Sequence, residues 1–151
     1  MKEERSSLAA LPAAEDSPRA PATKQLRVLV ADDDRDMVAT LAAILNDEGH
    51  QVREVYRGTE VMRLLDEFDA DVALVDIGMP GMSGYDVARE VREKHGKQRP
   101  VLVAITGWHK ASDRILAKLV GFDHHLAKPF EAKDLLALLE PLISSGSESR
   151  R

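Results

Sequence analysis

The chain is predicted to be an α/β protein, a five-stranded parallel sheet doubly wound by helices on both faces. Two features carry that expectation. Short aliphatic runs and helical hydrophobic periods alternate strictly, five times each, between residues 26 and 143. Parallel strands joined in this way need crossover helices of one hand, which fill both faces of the sheet. Length agrees: the protein has 151 residues, enough for one domain with tails but not for two. A stretch of this size buries roughly two-thirds of its unfolded surface, so it can fold on its own.

Residues 26–31 form an aliphatic run of the kind a buried parallel strand requires. Met37, Leu41, Ile44 and Leu45 then fall at i, i+4, i+7 and i+8, one face of a helix that Gly49 ends. Residues 52–56 alternate as a strand with one wetter face. Val61, Leu64, Leu65 and Phe68 mark the second helix, and 72–77 reads as another buried strand. Residues 85–94 put Val87, Ala88 and Val91 on one helix face and stop near Gly96. Pro100 precedes a fourth strand, 101–106. Ile115, Leu116 and Leu119 mark a short helix before Gly121, 124–127 is a short fifth strand, and Leu135, Leu138, Leu139 and Leu142 give the last helix.

Composition excludes several functional classes. There is no cysteine, hence no disulfide scaffold, zinc–thiolate site, iron–sulfur cluster or cysteine nucleophile. The longest aliphatic runs, such as 101–105 and 135–139, fall far short of the roughly 18 residues a membrane span needs, so none is expected. Residues 1–25 hold Pro12, Pro18 and Pro21 with balanced charges, and are expected to be a disordered lead. Their apolar stretch is no signal sequence, because Pro12 breaks it and Glu15 and Asp16 follow. Residues 144–151 are expected to be a flexible tail. The net charge is −5, and the intervening 26–143 holds 15 basic against 21 acidic residues. So acidic a body lacks the basic face that duplex nucleic acid requires. A soluble, cytoplasmic protein is the plain expectation.

The position of the carboxylates is more informative. Ligands of such sheets bind at the carboxyl ends of the strands. Asp32, Asp33 and Asp34 follow the first strand, Asp76 ends the third, Thr106 ends the fourth, and Lys128 follows the fifth. With strand order 2-1-3-4-5, the first and third strands are neighbours and Asp32, Asp33 and Asp76 converge. Converging carboxylates repel one another, and a hard divalent cation resolves the conflict. An all-oxygen donor set favours Mg²⁺ over zinc. A lysine and a hydroxyl at the same rim suit a phosphoryl group, which makes this a candidate Mg²⁺-dependent phosphoryl site with a carboxylate nucleophile. Taken singly, each residue has a plainer reading. The run 32–34 also fits a helix cap, with Asp34 as no more than that. Thr106 fits an ordinary strand residue and Lys128 a solvated one. Asp76, at the end of an apolar strand beside Gly78 and Pro80, is harder to explain plainly.

The motifs Val28-Leu29-Val30-Ala31-Asp32-Asp33-Asp34, Val75-Asp76-Ile77-Gly78-Met79-Pro80-Gly81-Met82-Ser83-Gly84, Ala104-Ile105-Thr106-Gly107 and Leu126-Ala127-Lys128-Pro129-Phe130 occur in order across 26–143. In this the chain resembles a two-component response-regulator receiver domain of the single-domain, chemotaxis-regulator-like kind. The resemblance implies a flavodoxin-like (βα)5 receiver fold with strand order 2-1-3-4-5. It implies that Asp76 is the phosphoacceptor, attacking the phosphorus of a phosphohistidine on a sensor histidine kinase or a histidine phosphotransfer protein. Asp33 would bind Mg²⁺ directly and Asp32 through water, with Asp76 and the backbone carbonyl of Gly78 completing the protein ligands. Thr106 would turn its hydroxyl toward the phosphoryl oxygens, and Lys128 would pair first with the aspartate and then with the phosphoryl group. Pro129 matches a proline usually preceded by a cis bond, and Gly84 would let the loop after Asp76 turn into its helix.

Three positions depart from the family pattern or tune it. The switch position before the lysine, usually Tyr or Phe, is His125, and a protonated imidazole there would resist the inward packing that an aromatic allows. Its plain alternative is a tolerated surface residue. His125 and His124 cannot chelate one ion together, because neighbouring strand residues point to opposite faces. Gly78 and Trp108 occupy the two positions that, in the family, tune the lifetime of the aspartyl phosphate.

The function that follows is a phosphorylation-controlled switch in a His–Asp phosphorelay, a signalling phosphoprotein and not an enzyme acting on others. It would present a changed surface to a downstream effector protein, with neither nucleic acid nor membrane as partner, and a homodimer through the fourth and fifth βα units is the contact the family suggests. Only about eight residues follow the last helix, so the expectation is a stand-alone receiver without a DNA-binding output domain. Two other readings compete with it. A phosphatase of the haloacid-dehalogenase kind needs Asp-x-Asp-x-Thr after its first strand, which the run from Asp32 to Asp36 lacks. An inert interaction module would not need all five site residues.

Overall fold

A computed structural model of the chain describes residues 24–96, 99–107 and 111–144, except the side chains of Ala111 and Ser112. Most of the expected lead and tail therefore lies outside the described residues, as does Trp108. Residues 25–139 form one compact unit. Its elements run β1 (Arg27–Ala31), α1 (Arg35–Asp47), β2 (Gln51–Val55), a 3₁₀ turn (Gly58–Glu60), α2 (Val61–Phe68), β3 (Val72–Asp76), α3 (Gly84–His95), β4 (Val101–Thr106), α4 (Ala111–Val120) and β5 (His124–Ala127). The last helix, α5 (Ala132–Ser144), continues past this unit, and its end is held by the bond from Ser144 Oγ to the Glu140 carbonyl (3.1 Å). No helix among the described residues is long and apolar enough to cross a membrane.

The sheet has the order β2-β1-β3-β4-β5 with every pair parallel, which is the 2-1-3-4-5 order the sequence implied. The central strands are aliphatic throughout because both their faces are covered, and β3 is buried at all five positions. One face carries Leu29, Ala31, Ala73, Val75, Leu102 and Ala104. They pack against Val61, Leu65 and Phe68 of α2, Val87, Ala88 and Val91 of α3, and Ala117 of α4. By strand alternation, Val28, Val30, Leu74, Val103 and Ile105 face the other way and are equally buried. Edge strand β2 exposes Gln51, Arg53 and Glu54, the wetter face expected there, and such charges discourage pairing with another edge.

Helix ends follow from local chemistry. The Asp34 carboxylate caps α1 by accepting the amides of Asp36 and Met37. Ser83 and Asp86 form a reciprocal capping box on α3. Gly49, at φ +91°, turns the chain out of α1.

Two helix faces differ from expectation. In α1 the fully buried residues are Val38, Leu41, Ala42 and Leu45, while Met37 and Ile44 are half-buried. The spacing gave the right helix, and its burial is centred one position further round. In α4 the discrepancy is larger. Ile115, Leu116 and Leu119, expected to mark the packed face, are 60%, 42% and 78% exposed, and small Ala117 turns inward instead. A helical period identifies an apolar face but not what covers it.

Candidate functional site

Register places the site. Ala31 of β1 lies level with Val75 of β3, so the residues that follow, Asp32 and Asp76, come side by side at the carboxyl end of the sheet. Asp76 pairs with Ile105 of β4, and Thr106 with Ala127 of β5, which puts Thr106 and Lys128 at the same rim. The Asp32 amide donates to the Val55 carbonyl of β2 (3.1 Å), and the Lys128 amide to the Thr106 carbonyl (2.8 Å). Four strand ends are thereby tied into one platform. The Lys128–Pro129 peptide is cis, as is Arg99–Pro100.

Three carboxylates converge on that platform. Ligand atoms of Asp32, Asp33 and Asp76 all lie within 4.8 Å of one another. Asp32 and Asp76 are buried and Asp33 is exposed. The ammonium of Lys128 sits 3.3 Å from Asp32 Oδ2 and 3.7 Å from Asp76 Oδ1. Asp32 Oδ1 accepts the Asp34 amide (3.0 Å), whereas its buried Oδ2 accepts no hydrogen bond among the described residues. Asp76 Oδ1 accepts the Gly78 amide (3.2 Å).

Burial, foremost, and then the charge of Asp32 push the Asp76 carboxyl up to about 6, against the opposing pull of the Gly78 N–H and Lys128. One lysine therefore does not neutralise this cluster. Three carboxylates and one ammonium leave an excess of two negative charges, the amount a divalent cation carries. An all-oxygen donor set whose buried Asp32 Oδ2 has the Lys128 ammonium at 3.3 Å but accepts no hydrogen bond among the described residues fits a hard cation of this kind.

The remaining expected residues fall around this centre. Thr106 is buried at the end of β4, one strand from Asp76. Gly78 is exposed in the loop after Asp76. His125 is half-buried on β5 opposite Ala104, and His124 is exposed. Gly84 opens α3 where the loop after Asp76 turns into it, and the structure shows why a glycine stands there. A Cβ there would lie 2.6 Å from Ile77 Cα and 2.7 Å from the Asp76 carbonyl oxygen, so it is the lack of a side chain that lets α3 rest directly on the backbone of Asp76 and Ile77. Its amide also donates to the Ile77 carbonyl (3.0 Å).

The sequence reading overlooked Arg92, which fastens the opposite end of the sheet. Its guanidinium donates to the carbonyls of Gly121 (2.9 Å), Gly96 (3.0 Å) and Pro100 (3.0 Å) and to Asp123 Oδ2 (2.7 Å). Asp123 in turn accepts the Leu102 amide (2.9 Å). No periodic signal marks such a residue, because its partners lie 4 to 31 positions away.

Comparison with known proteins identifies the family. Residues 28–140 match the family described as the response regulator receiver domain. The transcriptional regulatory protein CpxR of Klebsiella pneumoniae is 33% identical over 117 residues, covering 78% of this chain and 49% of that protein. The two-component response regulator PhoP of Pseudomonas aeruginosa is 33% identical over 122 residues, covering 81% of this chain and 53% of that protein. The chain thus spans about half the length of the curated relatives it matches. Among solved structures, the chemotaxis protein CheY4 of Vibrio cholerae superposes with a TM-score of 0.74 at 25% identity, covering 78% of this chain and 98% of that one.

Proposed function

The chain belongs to the response-regulator receiver family of two-component signalling, and from that premise we propose that it is a phosphorylation switch whose acceptor is Asp76. The observation that carries this reading is the convergence of Asp32, Asp33 and Asp76 within 4.8 Å, with Lys128 bridging Asp32 and Asp76.

In the proposed reaction a carboxylate oxygen of Asp76 attacks the phosphorus of a phosphohistidine on a sensor histidine kinase or histidine phosphotransfer protein. The new P–O bond forms as the P–N bond breaks, and the imidazole leaves with the bonding pair. Lys128 screens the nucleophile before transfer and would follow the charge onto the phosphoryl oxygens afterwards. The Thr106 hydroxyl would bind one of those oxygens. Asp32, Asp33, Asp76 and the Gly78 carbonyl would hold Mg²⁺, which supplies charge neutralisation between the carboxylates and the incoming phosphoryl group. Without the cation, burial and the Asp32 charge make the Asp76 carboxyl more basic than an ordinary aspartate. His125 is the proposed relay between Thr106 and the surface that an effector protein reads, and residues 26–143 are the proposed switching unit.

The test is Mg²⁺-dependent phosphorylation by acetyl phosphate, followed by intact-mass spectrometry. One phosphoryl group should be gained by the wild type and none by Asp76→Asn. Repeated turnover of a phosphate monoester would instead favour a phosphatase, and no modification of the wild type would favour an inert module.

A further inference from the structure

The β2–α2 connection holds a buried glycine, Gly58, outside the carboxylate cluster. Gly58 is buried at the start of the 3₁₀ turn, and a Cβ there would lie 2.3 Å from the Met82 carbonyl oxygen and 3.0 Å from Met82 Cβ. Its φ is not positive, so the position uses the missing side chain and not backbone freedom. Met82 belongs to the loop that carries Gly78 away from Asp76. That loop is seated at its ends by Gly84 on the backbone of Asp76 and Ile77, and between them by buried Met79 and part-buried Met82. Gly78, Pro80 and Gly81 are exposed.

We propose that Gly58 is a positioning residue for the Asp76 site, its bare backbone acting as the seat that fixes where the β3–α3 loop lies. The inference rests on the phosphorylation reading and extends it to a residue two elements away. The turn cannot yield to a larger residue. Gly58 accepts the Val61 amide, and Val61 and Leu65 anchor α2 in the core. The loop, exposed at three of its residues, is the softer partner. A Cβ would therefore drive Met82 outward by about 1 Å and carry Gly78 with it, and displacements of that size are known to cost up to about 100-fold when they misplace reacting groups.

The experiment compares Mg²⁺ binding by titration calorimetry with the rate of acetyl-phosphate labelling in three variants. Gly58→Ala should remain folded, weaken Mg²⁺ binding by about 10-fold and slow labelling at least as much. Gly121→Ala, at a backbone φ of +120° that disfavours any side chain, is the control for lost stability. It creates a 2.4 Å contact with Arg92 Cγ at the opposite end of the sheet, so it should lower stability yet keep the wild-type Mg²⁺ affinity. Should Gly58→Ala fail to fold, Met82→Gly loosens the same seat without a clash and should also weaken Mg²⁺ binding. Wild-type affinity in a folded Gly58→Ala or Met82→Gly protein, or an equal loss in Gly121→Ala, overturns the inference. If the wild type neither binds Mg²⁺ nor takes a phosphoryl group, the phosphorylation reading falls and this inference with it.

Discussion

Replacing Asp76 by Asn should make the metal-free protein more stable, although it removes the residue the proposed function depends on. The native fold holds the Asp76 carboxyl at about 6, whereas an unfolded aspartate titrates near 3.8. Between those values the folded chain binds the proton more tightly than the unfolded chain, so stability falls as pH rises through the window. Above about pH 6 the full penalty is in force. Each pH unit of displacement is worth about 1.4 kcal/mol, which sets a ceiling of about 3 kcal/mol. An asparagine carries no charge to repel Asp32, and a gain of about 1–3 kcal/mol is expected at pH 8 in the presence of a chelator. Urea denaturation followed by circular dichroism reads this as a higher midpoint at unchanged slope. The advantage should shrink as pH is lowered and be gone near pH 3.5. Saturating Mg²⁺ should stabilise the wild type and close the gap. A variant no more stable than wild type at pH 8, or an advantage that does not change between pH 8 and pH 4, would refute the reasoning.

Other expectations follow from single side chains. Arg92→Ala strands three carbonyls and the partly shielded Asp123, and should cost about 2–4 kcal/mol in urea unfolding while leaving Mg²⁺ affinity intact. Arg92→Lys should not restore it, because one ammonium cannot reach all four acceptors. Gly84→Ala must part α3 from the backbone of Asp76 and Ile77, and should lose about 1–3 kcal/mol together with most acetyl-phosphate labelling. Buried His50 accepts the Leu26 amide on Nδ1 (3.0 Å), and burial holds its pKa below 6.5 against the weaker opposing pull of Glu48. The unfolded chain therefore binds the extra proton first, and stability should fall as pH drops below 6.5. The slope is best measured in Asp76→Asn, where the acceptor's opposite trend is absent, and it should flatten when His50→Phe is added.

Much of the fold and part of the site were legible from local pattern. The aliphatic runs ending at Ala31, Asp76 and Thr106 are strands because both faces of a parallel sheet are dry, and their alternation with helical periods leaves few ways to connect them. Asp76 could be singled out because a carboxylate closing such a run has no plain structural use, and Asp34 because its spacing to the next helix is that of a cap. The features that escaped notice depend on what lies across space. Ile115 and Leu119 carry the right period but point to solvent, since periodicity does not say which face meets the sheet. His50, Arg92 and Gly58 matter through backbone groups that no local period marks: the amide of Leu26 just before β1, carbonyls in two loops, and the carbonyl of Met82. Gly84 reads in sequence as the glycine where the loop enters its helix, and only the packing shows that the close approach to the backbone of Asp76 and Ile77 is what requires it.

The most direct measurement of the central claim is the chemical location of the phosphoryl group. Wild-type protein labelled with acetyl phosphate and Mg²⁺ can be trapped with borohydride, which reduces an acyl phosphate to the alcohol and marks the modified residue for peptide mass spectrometry. The account predicts a single mark, homoserine in place of Asp76, absent without Mg²⁺. A mark at Asp32 or Asp33, or no mark while the wild type retains its native fold, would contradict it.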